Sequence, residues 1–225
     1  ARGAQSLLNW KTIRTRLVNI LIPYLIWSIT VFLLDIAQKN YLSPQEYIIR
    51  LLTGKASPVY WYIPVICQLY LISPIIVKFG KSRWKLLLAL TAILQILMVI
   101  YNYLNTFWIN RFDMNWFFGS HIFYFAFGCV YALKGNDIKA WLVNKRWLWL
   151  CCWVVMAVAT VLEGEILTRL SGIDFRGGVL SFGAAFYSLT FLLWYLSFEN
   201  LKFPNHKLLD LLNKRLMGIY LIHPI

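Results

Sequence analysis

The sequence predicts an all-α fold, a polytopic bundle of transmembrane helices that forms one integral membrane domain over residues 1–225. Apolar residues make up 60% of the chain and charged residues 14%, with a mean hydropathy of +0.62. These values lie outside the range of soluble globular domains. The apolar residues also fall in long runs. Backbone groups in lipid must be hydrogen-bonded within their own segment, so such runs form helices rather than open sheet.

Six apolar runs are long enough to span a membrane, and a seventh is cut off by the end of the chain. A bilayer core of about 30 Å requires about 20 apolar residues in a helix. The six full spans and the truncated seventh are Leu17–Ala37, Val59–Phe79, Leu86–Leu104, Phe117–Leu133, Trp147–Leu167, Val179–Phe198 and Leu216–Ile225. Because the chain opens on Ala1 and closes within a run, we expect a fragment of a longer protein.

Charge sorts the connecting segments onto the two sides of the membrane. If the N-terminus is cytoplasmic and each run crosses once, the inner segments hold 16 of the 22 basic residues. The outer segments then sum to zero, and the whole net charge of +13 lies inside, as the retention of positive residues in the cytoplasm requires. We therefore predict a multi-pass protein of the cell membrane (plasma or inner) with cytoplasmic basic loops.

The basic residues do not indicate nucleic-acid binding. Lysine and arginine are scattered in short loops and form neither a stripe nor a groove-reading motif. Membrane lipids with anionic headgroups are the partner that such loops predict. The sequence predicts no metal site either, because its four cysteines lie inside apolar runs and lack zinc-ligand spacing.

The first outer segment carries the start signal of a short helix. Ser43 stands at the position of an N-cap, Pro44 at the first helical position and Glu46 at the third. Apolar residues on one face follow, so we expect a helix on the outer membrane surface. It serves either as a lid over an outward-facing site or as a plain connector.

Two patches at the ends of the runs suit ligand binding. Lys11, Arg14 and Arg16 precede the first run. Guanidinium groups bind phosphate well, but ordinary topology and lipid-facing charge are the favoured explanation of these residues taken alone. Trp61 and Tyr62 open the second run. Aromatic rings at that depth either stack on a sugar or form an interfacial belt.

Histidine supplies the candidates for acid–base chemistry. His121 lies near the outer end of the fourth run, on the side where Glu163 and Glu165 end the fifth. His223 is followed by Pro224 inside the last run, where an imidazole must be hydrogen-bonded or functional.

In this order the patches resemble acyltransferase family 3, a large family of polytopic membrane O-acyltransferases. The resemblance rests on Arg16 with Pro23-Tyr24 and Trp27, Trp61-Tyr62-Ile63 with Tyr70-Leu71 and Pro74, Phe127-Gly128, and Tyr220-Leu221-Ile222-His223-Pro224. It implies transfer of an acyl group, often acetyl, from cytoplasmic acyl-CoA (acetyl-CoA) to a hydroxyl of an extracytoplasmic or lipid-linked glycan.

The resemblance also implies roles for individual residues. The coenzyme phosphates are assigned to the basic residues Lys11, Arg14 and Arg16. The acceptor side is assigned to the aromatic residues Trp61, Tyr62 and Tyr220. The family's principal catalytic histidine is expected outside this chain, which leaves His223 and His121 as candidates within it. The alternative is a lipid or saccharide exporter, or flippase, with the same bundle and no covalent chemistry.

Overall fold

The computed structural model describes residues 7–109, 114–172, 174, 180–198 and 220. Every regular element within these ranges is helical, which confirms the predicted all-α class. The helices are α1 (Trp10–Ala37), α2 (Pro44–Thr53), α3 (Tyr62–Leu104), α4 (Ile122–Asn144), α5 (Arg146–Ser171) and α6 (Phe182–Leu196). A π-helical turn, Asn105–Ile109, follows α3, and a 3₁₀ turn, Phe118–Ser120, precedes α4.

Three helical segments of the described part are long and apolar enough to cross a membrane. They are α1 (Trp10–Ala37), α3 with most of the π-helical turn (Tyr62–Trp108) and α5 (Arg146–Ser171). Ile122–Gly135 and Phe182–Leu196 are apolar but shorter. Large apolar side chains cover the outside of the bundle. Exposed fractions of 71% for Ile75 and 72% for Val161 would be unfavourable in water but suit a lipid environment. The count of six spans and a seventh stays a prediction, because the last run lies outside the described residues except for Tyr220.

Helix α3 is a hairpin of two arms. Its backbone leaves helical geometry at Arg83, where φ is −134° and ψ is 51°. Gln68 is hydrogen-bonded to the backbone of Phe118 and Gln95 to that of Phe123, five residues further along. On a straight helix these two glutamines would lie about 40 Å apart. The chain therefore turns back at Arg83, and the N-arm and C-arm correspond to the second and third apolar runs.

Helix α4 packs along the hairpin near its turn. A Cβ atom placed on Gly80 of the N-arm would lie 3.4 Å from Leu87 of the C-arm and 3.7 Å from both Val130 and Leu133 of α4. These are ordinary contact distances, so both arms and α4 meet at this glycine. Buried aliphatic side chains from all three segments form the largest core cluster.

Helices α5 and α6 form an antiparallel pair. At one end, the Glu163 carboxylate accepts a hydrogen bond of 2.6 Å from the Gly183 backbone N–H. At the other, the Arg146 guanidinium approaches the Ser197 carbonyl oxygen at 3.5 Å. The pair meets the rest of the bundle through α4 and through the end of the α3 C-arm.

The short helix predicted after Ser43 is confirmed as α2, with the capping box that its sequence indicates. Its position on the outer membrane surface stays a prediction. The Ser43 hydroxyl accepts from the Glu46 N–H at 3.3 Å, and the Glu46 carboxylate accepts from the Ser43 N–H at 2.8 Å. The bonds from the Ser43 backbone and hydroxyl lower the pKa of the Glu46 carboxyl. Gly54 ends the helix at φ 71°, where a Cβ would lie 2.6 Å from the Tyr60 carbonyl oxygen, so only glycine fits.

Candidate active site

A cavity of about 410 Å³ lies between the α3 N-arm, α4 and α6. Half of its lining residues are aliphatic or phenylalanine, and the polar or amphipathic half consists of Trp61, Tyr62, His121, Tyr124 and Ser188. We call it the His121 cavity. Apolar cavities with a few convergent polar groups are the usual form of a small-molecule site.

The His121 ring is held in one orientation within this cavity. It stacks on the Trp61 indole, with ring centroids 5.1 Å apart and an interplanar angle of 27°. The imidazole is hydrogen-bonded to the backbone of Asn115, and its Nε2 atom is buried without a partner in the described part of the chain. Nδ1 is therefore the nitrogen that is hydrogen-bonded to Asn115, and Nε2 can accept a hydrogen bond or a proton.

Gln68 fixes the segment that carries His121. Its Nε2 donates to the Trp116 carbonyl oxygen at 2.9 Å, and its Oε1 accepts from the Phe118 N–H at 3.1 Å. The buried Ser120 hydroxyl adds a bond of 3.0 Å to the Met114 carbonyl oxygen. The Gln68 side chain, although it lies inside an apolar span, thus forms hydrogen bonds with backbone N–H and C=O groups of a non-helical segment that would otherwise lack them.

A second cavity of about 570 Å³, here called the outer cavity, shares Trp61 with the first. The end of α2 forms part of its wall. Its charged and amide side chains are Asp35, Arg50, Lys55 and Asn115. Trp61 therefore lines both the polar cavity beside the end of α2 and the His121 cavity.

The structure brings the predicted acceptor-side residues together. Trp61 and Tyr62 line the His121 cavity, and their rings meet edge to face at 6.1 Å. Tyr220 lies behind Tyr62, with ring centroids 6.0 Å apart, and its hydroxyl donates to the Val59 carbonyl oxygen. His223 lies outside the described residues.

The predicted donor-side residues do not converge. The Arg16 guanidinium lies over the Tyr70 ring, 5.6 Å from its centroid, and so faces the bundle. Lys11 and Arg14 are exposed. Residues two apart on a helix point about 200° apart, so Arg14 projects away from Arg16. A shared phosphate site for all three residues stays a prediction.

The carboxylates Glu163 and Glu165 of α5 do not line the His121 cavity. Glu163 accepts hydrogen bonds from the Tyr103 hydroxyl and from the Gly183 N–H. Glu165 forms an exposed ion pair with Arg169 at 2.9 Å. Tyr124 and Ser188, by contrast, line the cavity although no local sequence signal indicates either one.

A family model described as an acyltransferase domain matches residues 8–225 of the chain. The match includes every residue of the two cavities. No curated protein and no solved structure matches the chain.

Proposed function

Because the chain belongs to acyltransferase family 3, we propose that it moves an acyl group from acyl-CoA to a hydroxyl of an extracytoplasmic or lipid-linked glycan. Membership makes the protein an acyltransferase, and its long apolar helices fit a membrane protein. Acetyl-CoA is the simplest donor. The proposal places the transfer in the His121 cavity.

The observation that carries this placement is the buried, unpaired Nε2 atom of His121. In the proposed reaction the acceptor oxygen bonds to the acyl carbonyl carbon while the carbon–sulfur bond of the thioester breaks. Nε2 takes the hydroxyl proton, and coenzyme A leaves as a thiolate that takes up a proton. The Asn115 backbone keeps the imidazole in the tautomer that this role requires.

The two cavities supply different parts of the acceptor site. Carboxylate, guanidinium and amide groups suit the hydroxyls of a sugar, and the outer cavity has them in Asp35, Arg50 and Asn115. The Trp61 indole borders both cavities, so a sugar stacked on it would present a hydroxyl towards His121. On this proposal α2 is the wall of the acceptor entrance rather than a plain connector.

A His121→Asn substitution in the full-length protein tests the assignment. An asparagine amide keeps a donor near the Nδ1 position and removes Nε2. We expect kcat for acyl transfer to fall by about 10²- to 10⁴-fold, the usual contribution of a general base, with little change in acceptor KM. Ser188→Ala, a change in the same cavity that leaves the imidazole intact, is the control. An unchanged kcat in His121→Asn would remove the base assignment.

The reaction itself is tested by mass spectrometry of envelope glycans from cells with and without the intact gene. Loss of acyl groups in the deletion strain is the expected result. Unchanged acylation would overturn the proposed reaction. If the purified protein moves a lipid-linked saccharide across vesicles and transfers no acyl group, it is an exporter.

A further inference from the structure

We propose that a small apolar cavity beside the His121 cavity receives the hydrocarbon end of the transferred acyl group, so that short chains longer than acetyl are accepted. This inference rests on the proposed function. The cavity measures about 90 Å³ and lies between the α3 C-arm, α4 and α6. We call it the apolar slot, and its walls include Ala92, Gln95, Phe123, Tyr124 and Ala185.

The slot has no polar group left to bind a polar ligand. Apart from Gln95 and Tyr124, its lining is aliphatic or phenylalanine. The Gln95 Oε1 atom accepts from the Phe123 N–H at 3.2 Å, and its side chain is also hydrogen-bonded to Tyr124. The Tyr124 hydroxyl in turn donates to the Ala185 carbonyl oxygen at 2.8 Å. A hydrocarbon is therefore the ligand that this lining suits.

The slot adjoins the proposed reaction site. Tyr124 lines both cavities. On α6, Ala184 and Ser188 line the His121 cavity, whereas their neighbours Ala185 and Leu189 line the slot. One aromatic ring and one edge of a helix thus form the partition. An acyl group whose carbonyl carbon lies near His121 has the slot directly beside it.

The size of the slot limits the length of the acyl chain that it can hold. A dry apolar cavity of about 150 Å³ is known to hold benzene, so a slot of about 90 Å³ holds only a few carbons. Propionyl and butyryl groups fit this description, and an octanoyl group does not. Burial of each methylene contributes up to about a fourfold gain in kcat/KM.

The test compares acetyl-, butyryl- and octanoyl-CoA as donors for the full-length protein. We expect butyryl transfer with kcat/KM at least equal to that for acetyl, and poor octanoyl transfer. Ala185→Leu and Ala92→Leu each fill the slot and should lower the butyryl-to-acetyl ratio of kcat/KM by about tenfold while acetyl transfer continues. The control is Ala89→Leu, which adds the same side chain at an exposed position on the same arm of α3.

The possible outcomes distinguish failure of the slot proposal from failure of the proposed acyl transfer. Acetyl transfer without butyryl transfer in the unmodified protein overturns the slot alone. A butyryl-to-acetyl ratio unchanged in both slot variants, or equal losses for both donors, also overturns it, since the slot would then hold a membrane lipid or serve only packing. No transfer from any donor overturns the proposed function itself.

Discussion

Arg16 is the basic residue of the N-terminal patch that enters the bundle. Its guanidinium lies over the Tyr70 ring, whereas Arg14 and Lys11 are exposed. A cation over an aromatic face is attracted by the ring quadrupole, more strongly where water is excluded. This contact holds the charge inside the apolar helices. On the proposed function, Arg16 is therefore the residue placed to meet a coenzyme phosphate within the bundle.

We expect Arg16→Ala to raise the KM for acyl-CoA by about ten- to a hundredfold, because hydrogen bonds to charged groups contribute about 1.5–3 kcal/mol. Arg14→Ala should change it by less than about threefold. Steady-state kinetics of the full-length protein measure both, and Arg16→Lys, which keeps the charge but loses the planar fork, should fall between them. Unchanged kinetics in the Arg14/Arg16 double alanine variant would remove the whole donor-side assignment.

The sequence predicts single residues of the site better than their partners. His121 is noticeable because an imidazole inside an apolar run needs a partner or a role. Trp61 is noticeable because it belongs to a cluster of aromatic residues at the start of the second run. Their stacking joins residues 60 positions apart, and it depends on how the α3 hairpin folds. Tyr124 and Ser188 have no such local signal, since tyrosine and serine are ordinary in apolar helices.

Local signals predict an element well when all of its determinants are close in sequence. The capping box of α2 is complete within four residues, so the sequence alone places the start of that helix. The start of α1 and both ends of α4 differ from the predicted runs, because helices need not begin or end where apolar residues do. Asn9 caps α1 and the helix includes the basic segment from Lys11, whereas α4 begins at Ile122 after a 3₁₀ turn.

The α5–α6 pair depends on the absence of a side chain at Gly183. A Cβ there would lie 2.7 Å from the Thr160 Cα atom and would collide with the Glu163 carboxylate, which accepts the Gly183 N–H. The Thr160 backbone cannot move aside as the end of a flexible side chain can. We therefore expect Gly183→Ala to separate the two helices and to destabilise the protein by about 1–3 kcal/mol.

Thermal unfolding of the purified protein in detergent measures this effect. Gly128→Ala is the matched control, because a Cβ on Gly128 would meet nothing within 4 Å and alanine favours a helix interior. The control should leave the melting temperature unchanged or raise it. Equal melting temperatures for the two variants would contradict the close approach of α5 and α6 at Gly183.

At the scale of the whole molecule, the fold collects basic residues at one end. The turn of the α3 hairpin at Arg83 carries Lys81 and Lys85 beside it. Leu88, just past that turn, packs in the same cluster as Trp149, which follows the α4–α5 junction at Lys145. These two basic segments therefore lie at the same end of the bundle. Helix α2 lies at the opposite end, because its Leu51 carbonyl oxygen accepts from the Tyr24 hydroxyl and the Tyr24 ring contacts Tyr60, just before α3 begins.

This arrangement predicts which positions a membrane-impermeant maleimide reaches. In a full-length variant with its native cysteines replaced by alanine, Gln45→Cys on α2 should be labelled from outside sealed right-side-out vesicles. Ser82→Cys and Lys145→Cys, at the basic end, should be labelled only after permeabilisation. Labelling of Gln45→Cys and Ser82→Cys from the same side would contradict the hairpin as a pair of membrane crossings. Complete reversal of the pattern would preserve the bundle and place its basic end outside, contrary to the orientation that charge predicts.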